Sequence, residues 1–262
     1  MAAPIDIALP GLSAWIGSYL YPLFRLGGFF LIAPVFGTQL VPGRIRIGLA
    51  LLVALLLAPL LPPVPALDPL SPASMLLVAQ QVLVGLGLGF VMQLFFQVFV
   101  FGAQMIAMQM ALGLASMVDP ANGISVTVLA QYFLLMLTLV FVATNGHIVM
   151  FEVFLESFRY LPVGSAWDMA GTSWSLAHGA SWMFLSGLLL ALPAVTALLV
   201  VNLAFGVMTR AAPQLNVFSL GFPVALVFGL LIVWLGMRGF LPQYDALSGQ
   251  AFALLRTLAG VR

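Results

Sequence analysis

The sequence predicts an all-α, polytopic integral membrane protein. Two observations carry this. Between Asp68 and Asp119 the chain runs fifty residues without a charged side chain. In the 262 residues as a whole, 63% are hydrophobic, 6% are charged and the mean hydropathy is +1.20, far from the quarter or so of charged residues usual in a soluble domain. A single span needs about 20 apolar residues to cross roughly 30 Å of hydrocarbon, whereas fifty helical residues would extend about 75 Å, so the uncharged stretch is more than one simple helix. Transmembrane barrel strands alternate polar and apolar residues over about ten positions; the runs here are continuous, which leaves helices.

Taken in order, apolar runs of spanning length fall at 12–37, 45–62, 75–100, 126–150, 178–207 and 215–239, giving about six hydrophobic helices. The N-terminus, MAAPIDIALPGLSAW, has no basic region ahead of the first run, so no cleaved signal peptide is read and the first run is expected to remain as a helix. Arg44 and Arg46 lie between the first two runs and Arg210 between the last two, which under the positive-inside rule puts those loops in the cytoplasm. Asp68, and Glu152, Glu156 and Asp168 against Arg159, then fall outside, as do both termini. Arg238, Arg256 and Arg262 run against that orientation; a short amphipathic tail helix at an interface would accommodate them. Pro22, Pro34, Pro193 and Pro223 interrupt apolar runs and free carbonyls that need partners in neighbouring helices or water. Kinked helices packed against other protein are expected.

The composition excludes several functions. All eight basic residues are Arg and the net charge is +1, so no polybasic tract exists to hold nucleic acid. Absence of Cys removes disulfide, thiolate and iron–sulfur chemistry. His147 and His178 have no carboxylate or Cys at metal-ligand spacing, and no nucleophile elbow or zinc-protease motif occurs. No catalytic residue, metal ligand or cofactor is assigned. Gly85, Gly87 and Gly89 lack the third glycine of a dinucleotide loop and read instead as a small-residue face for close helix packing.

The region from Gln93 to Pro120 holds the richest pattern. Gln93, Gln97 and Gln104 share one helical stripe, suited either to interhelical hydrogen bonds or to a wetted cavity wall. Ala103, Ala107, Ala111 and Ala115 form a smooth ridge. Met105, Met108, Met110 and Met117 are four of the thirteen methionines within thirteen residues; flexible, polarizable side chains can fill gaps and repack when something passes. With Gly113, Asp119-Pro120 and Asn122-Gly123 breaking the helix, the segment reads as a deformable constriction against the alternative of plain core packing. Arg25 sits inside the first run, where an unpaired charge costs on the order of 3 kcal/mol. It either snorkels to an interface or pairs with a carboxylate, Glu152, Glu156 or one on a partner chain.

At residues 192–223 the chain reads LPAVTALLVVNLAFGVMTRAAPQLNVFSLGFP. Asn202, Gly206, Arg210, Ala212-Pro213-Gln214, Asn216-Val217-Phe218 and Gly221-Phe222-Pro223 there resemble the FliR family of flagellar type III protein-export gate subunits, and more loosely their injectisome (SctT-like) counterparts. Asn145-Gly146-His147, Ser157-Phe158, Leu161-Pro162 with Gly164, the Gln109-Met110 to Asp119-Pro120 segment, and Ala33-Pro34 with Pro42 and Arg46 extend the resemblance from about Arg25 to about Gly229.

The resemblance implies a core subunit at the bacterial inner membrane, in the flagellar basal body. One copy would join FliP and FliQ in a helical hetero-oligomer, with FlhB and FlhA as neighbours and unfolded proteins passing through. It implies a FliP-like portion at 1–175, a FliQ-like hairpin at 176–240 with Arg210, Pro213, Gln214 and Asn216 in its loop, and a tail at 241–262. A plug would map to about 106–122, with Met105, Met108, Met110, Met117, Asp119 and Pro120 as gate residues. In such assemblies much of the subunit is lifted from the bilayer plane, so hydropathy runs need not span it. Two departures stand out. An acidic residue is common in the family where this chain has Gln104, and glycines where it has Ala107 and Ala111. The energy for export would come from the proton motive force and an ATPase elsewhere, since no nucleotide-binding loop occurs here. Other readings of the residues are a transporter of small molecules or ions with discontinuous helices, and a structural scaffold whose Met and Gln side chains only pack.

Overall fold

A computed structural model describes residues 9–38, 41–62, 64–65, 67–68, 71–113, 127–211 and 221–261. The described residues form eight α-helices and no strand: α1 (Leu9–Ile32), α2 (Gly43–Leu57), α3 (Pro72–Gln109), α4 (Val128–Ala143), α5 (Gly146–Tyr160), α6 (Met169–Ala211), α7 (Phe222–Gly236) and α8 (Phe240–Leu258). Short 3-10 turns follow α2 at Ala58–Leu60 and precede α8 at Met237–Gly239. The all-α class holds.

Four helical segments are long and apolar enough to cross a membrane, Gly43–Leu60, Pro72–Gln109, Met169–Arg210 and Phe222–Leu258, with a fifth if α4 and α5 count as one broken span. Three expectations change here. The first run is a helix of 24 residues, but with Pro22, Arg25 and two tyrosines it is not among those segments. The fourth run is cut in two, because Asn145 adopts a left-handed backbone with φ of 58°, a conformation that Asn tolerates better than most side chains. The tail is no separate interfacial helix: α8 continues the last apolar segment, with Phe240, Tyr244, Ser248, Ala251, Leu255 and Ala259 buried along one stripe.

The chain divides into two compact units, and α3, α6 and α8 each contribute to both. In the first unit (Met1–Gln93, Asn145–His178, Ala251–Arg262), α1 and α3 pack side by side in the same direction, so α2 is the return between them. Tyr21 hydroxyl meets Ser74 hydroxyl at 3.1 Å, Arg25 reaches Gln81, and Ala33 lies against Gly89. Glycines set the approach. A Cβ on Gly85 would land on the carbonyl oxygen of Arg25, and one on Gly89 would sit 2.9 Å from the carbonyl oxygen of Phe29. Gly28 answers from α1, where a Cβ would lie 2.5 Å from the carbonyl oxygen of Val82. Gly87 faces elsewhere, its nearest neighbour a Leu176 methyl at 3.8 Å. The small-residue reading of the three glycines therefore holds for two of them. Beside the crossing, Phe29, Phe30, Phe36, Phe151 and Phe154 pack edge-on and tilted, with centroids 4.6 to 5.9 Å apart, the range in which aromatic pairs attract.

In the second unit (Leu94–Thr144, Gly179–Gln250), α3 crosses α6 at another glycine pair. A Cβ on Gly102 would lie 3.1 Å from the carbonyl oxygen of Gly187, and one on Gly187 would lie 3.0 Å from that of Val98. Phe95, Phe99, Tyr244 and Phe240 fill the space between α3 and α8, and Phe96 meets Phe141 of α4 at 5.3 Å. Thr144 and Tyr244 share a 2.7 Å hydroxyl contact at the end of α4.

The two kinds of glycine on α3 make a paired test. Gly85→Ala is expected to cost about 1–3 kcal/mol through overpacking, seen as less folded protein in detergent and a lower melting temperature. Gly87→Ala should be tolerated. Equal effects of the two changes would show that α1 and α3 do not cross at Gly85.

Candidate functional site

The segment expected to form the constriction begins where α3 ends, and the second unit holds that end at several points. A helix leaves its last carbonyls short of intrahelical partners; here the four from Ile106 to Gln109 are all met. The amide of Met110 donates to Ile106 at 3.1 Å, that of Leu112 to Ala107 at 3.0 Å, and that of Ala111 to Met108 at 3.1 Å. The last two form a Schellman cap, with its left-handed residue at Ala111, φ 58°. The fourth carbonyl, Gln109, accepts from the Asn202 side-chain amide of α6 at 3.1 Å, and the same amide lies 3.4 Å from Gln109 Oε1. Asn202 is the lone amide in a long apolar run, and its work is to finish a helix ninety residues earlier in sequence.

The methionines are not equivalent. Met110 is fully buried and occupies the notch left by Gly229 of α7, where a Cβ would come within 2.7 Å of its Sδ and Cε. Met105 is half-buried. Met108 is 61% exposed, its sulfur close over Gly113. Among the described gate candidates Met108 is thus the most exposed. Met117, Asp119 and Pro120 lie outside the described residues. On the ridge, Ala103 and Ala107 are fully buried.

The chain is caught again at Thr127, the N-cap of α4, whose Oγ1 accepts from the Ala130 amide. Gln104 Oε1 accepts from both the amide and the hydroxyl of Thr127, each at 3.4 Å. Gln104 therefore makes interhelical hydrogen bonds, one of the two roles open to the glutamine stripe. It sits at a helix N-terminus, where the partial positive charge of the backbone dipoles favours an acceptor.

Arg210, expected in the hairpin loop, is exposed in the last turn of α6, where a cation complements the helix dipole. Pro213, Gln214 and Asn216 lie outside the described residues. Pro223 stands in the first turn of α7, where its missing N–H costs nothing, so it begins a helix rather than kinking one.

In the first unit Arg25 is 1% exposed. It does not snorkel, and among the described residues it finds no carboxylate. Nε donates to Gln81 Oε1 at 2.7 Å, Nη1 to Ser157 Oγ at 3.3 Å and Nη2 to the Leu161 carbonyl at 2.8 Å, and the Phe158 ring lies 4.1 Å from the guanidinium carbon. Glu152 is exposed and Glu156 only half-buried. Neutral acceptors plus an aromatic face take the place of an anion. Among the described residues no three His, Cys, Asp or Glu side chains gather as a metal site would need.

The family described as bacterial export proteins, family 1, matches residues 16–251. The chain belongs to this family. It is 35% identical over 244 residues to the flagellar biosynthetic protein FliR of Escherichia coli K12, with 92% of each chain covered. It is 34% identical over 241 residues to that of Pectobacterium carotovorum, again 92% of each, and 30% identical over 221 residues to that of Bacillus subtilis, covering 82% of this chain and 85% of the other. The resemblance read from the Asn202 to Pro223 string thus extends across the export protein. Several residues of that resemblance now have physical roles. Ser157, Phe158 and Leu161 form the cradle of Arg25; Gly164, at φ 87°, turns the chain just after it; Asn145 breaks α4 from α5; Asn202 finishes α3. Nothing among the described residues explains Gly206, where a Cβ would meet no atom within 4 Å.

The cap of α3 gives opposite expectations for two substitutions. Ala111→Gly should stabilise the helix end by about 1 kcal/mol, since left-handed backbone costs a side-chain-bearing residue roughly 1–2 kcal/mol. Asn202→Leu should destabilise by about 1–3 kcal/mol by orphaning the Gln109 carbonyl. Thermal melts of the two variants in detergent should shift in opposite directions, and shifts of the same sign would refute the cap.

Proposed function

We propose that this chain is a core subunit of the flagellar type III export gate. One copy joins FliP and FliQ in a hetero-oligomer at the inner membrane of the basal body, with FlhA and FlhB as neighbours. Unfolded flagellar proteins pass through the assembly. The observation that carries the proposal is identity of 34–35% to relatives named flagellar biosynthetic protein FliR with 92% coverage in both directions, which leaves little of either chain outside the match. The surface supports it. The most apolar stretches of Gly43–Leu60, Met169–Arg210 and Phe222–Leu258 are only 17–22% buried within the chain, against 67% for that of α3. Large side chains such as Leu199, Val200, Leu203, Val227 and Trp234 are exposed. So much apolar surface needs lipid or partner helices.

Within this reading, residues 106–122 are the plug. The first turn of that segment is fixed by Asn202 and Gly229, and Met108 is the exposed methionine at its base. Residues 176–240 serve as the FliQ-like hairpin beside the FliP-like portion 1–175. Export uses energy supplied elsewhere in the apparatus, and this subunit contributes the path and its closure.

Co-expression with FliP and FliQ, detergent extraction and native mass determination test the assignment. A hetero-oligomer containing a single copy of this chain is expected. A stable monodisperse particle of this chain that ignores both partners would favour a transporter instead. For the plug, Met108→Ala combined with Met117→Ala should raise small-ion leak in cells that assemble the gate. An unchanged leak at normal assembly would leave residues 106–122 as packing alone.

A further inference from the structure

Outside the segments used so far, the first unit carries an open groove of about 480 Å3 between α1 and α2, reaching Val82 of α3. That volume falls within the roughly 300–1,000 Å3 usual for small-ligand sites. Leu23, Phe24, Leu31, Ile47 and Ala50 make its walls, and Arg46 is the one charged residue among its described lining. From Gly43 to Ala50 the groove follows α2 for about two turns, roughly 10 Å.

Arg46 is held in place. Nε donates to the Val41 carbonyl at 3.1 Å, and Nη2 donates to the Thr38 carbonyl at 2.6 Å and to Val41 at 2.9 Å. These acceptors are neutral backbone, so among the described residues the guanidinium is oriented without a counter-ion. Arg44, two residues before it in the chain, is exposed. The groove is therefore cationic at one end and hydrocarbon along the rest, and it opens beside α2, whose outer side shows Leu51, Leu52, Leu55 and Leu56. A molecule with an anion at one end and a hydrocarbon chain behind it complements this distribution of charge.

We infer that the groove seats one acyl chain of an anionic phospholipid, with the phosphate on Arg46. The lipid supplies the missing counter-charge and covers apolar surface that α1 and α2 leave open. It fills the open space beside Gly27 and Gly43, neither of which has any atom within 4 Å of a Cβ position.

Gly27 provides the cleanest test, because a side chain there enters open groove and strikes no backbone. The full chain, in whatever assembly it forms with FliP and FliQ, is delipidated in mild detergent and titrated with phosphatidylglycerol or phosphatidylcholine, counting adducts by native mass spectrometry. Phosphatidylglycerol is expected to bind preferentially, and Gly27→Leu to abolish that binding with the melting temperature retained. Arg46→Gln should weaken it about fivefold, the equivalent of about 1 kcal/mol for one Arg near an anionic surface, and leave phosphatidylcholine unaffected. Equal binding of the two lipids, or undiminished phosphatidylglycerol binding in Gly27→Leu, would overturn the inference. So would loss of a protein partner from Gly27→Leu with lipid binding intact, which would assign the groove to a partner helix.

Discussion

The first unit depends on one buried cation at one close helix crossing. Arg25 lies in an apolar chain with 1% of its surface exposed, and a charge in that position persists only when its donors are met. Its three hydrogen bonds run to α3, α5 and the turn after α5, so a single side chain ties three elements together. The backbone of the same residue is what Gly85 must approach. Sliding α1 against α3 by one residue would bring a side chain onto the glycine contact and carry the guanidinium away from Gln81. Packing and polar satisfaction thus specify the same register, and this agreement is what selects one structure from the many ways apolar helices can pack.

That constraint also explains why neutral partners suffice. A carboxylate beside Arg25 would bring its own desolvation cost, which often equals the attraction gained. An amide, a hydroxyl, a main-chain carbonyl and an aromatic face spread the charge without adding a second ion. The Gln81 side-chain nitrogen is left without a hydrogen-bond partner, the one polar group of this cluster that goes unmet. The sequence could show that Arg25 needed partners; it could not show which, because Gln81, Ser157 and Leu161 are 56, 132 and 136 residues away and none of them is charged.

What was legible follows the range of the interactions. Helical class follows from composition, and the glycine face of α3 from spacing, although spacing alone could not tell that Gly87 points away from α1. Helix ends and span counts were less legible, for a physical reason. Hydropathy measures apolarity and does not distinguish lipid from protein as the apolar neighbour. The most apolar stretch of α3 is 67% buried inside the chain, against 17% for that of Gly43–Leu60, yet both read as spans. A helix of 38 residues would extend about 57 Å, well beyond the roughly 30 Å of hydrocarbon, so assigning one crossing to each apolar run breaks down for α3. The methionines show the same limit at smaller scale: four side chains of one type within thirteen positions, of which Met110 is sealed under Gly229 and Met108 is open.

The described chain on either side of residues 114–126 is held by a single frame. Leaving α3, the chain is held by the Schellman cap, by Asn202 on Gln109 and by Met110 in the Gly229 notch. At Thr127 it is caught by Gln104, which stands five residues before Gln109 on the same helix, about 7.5 Å along its axis. Departure and return are thus anchored to one helix and nearly side by side. Bringing the ends of a loop together costs entropy that grows with its length. Here contacts on α3 offset that cost at both ends, through Asn202 on Gln109, Met110 in the Gly229 notch and Gln104 on Thr127, so substitutions at these positions act first on stability.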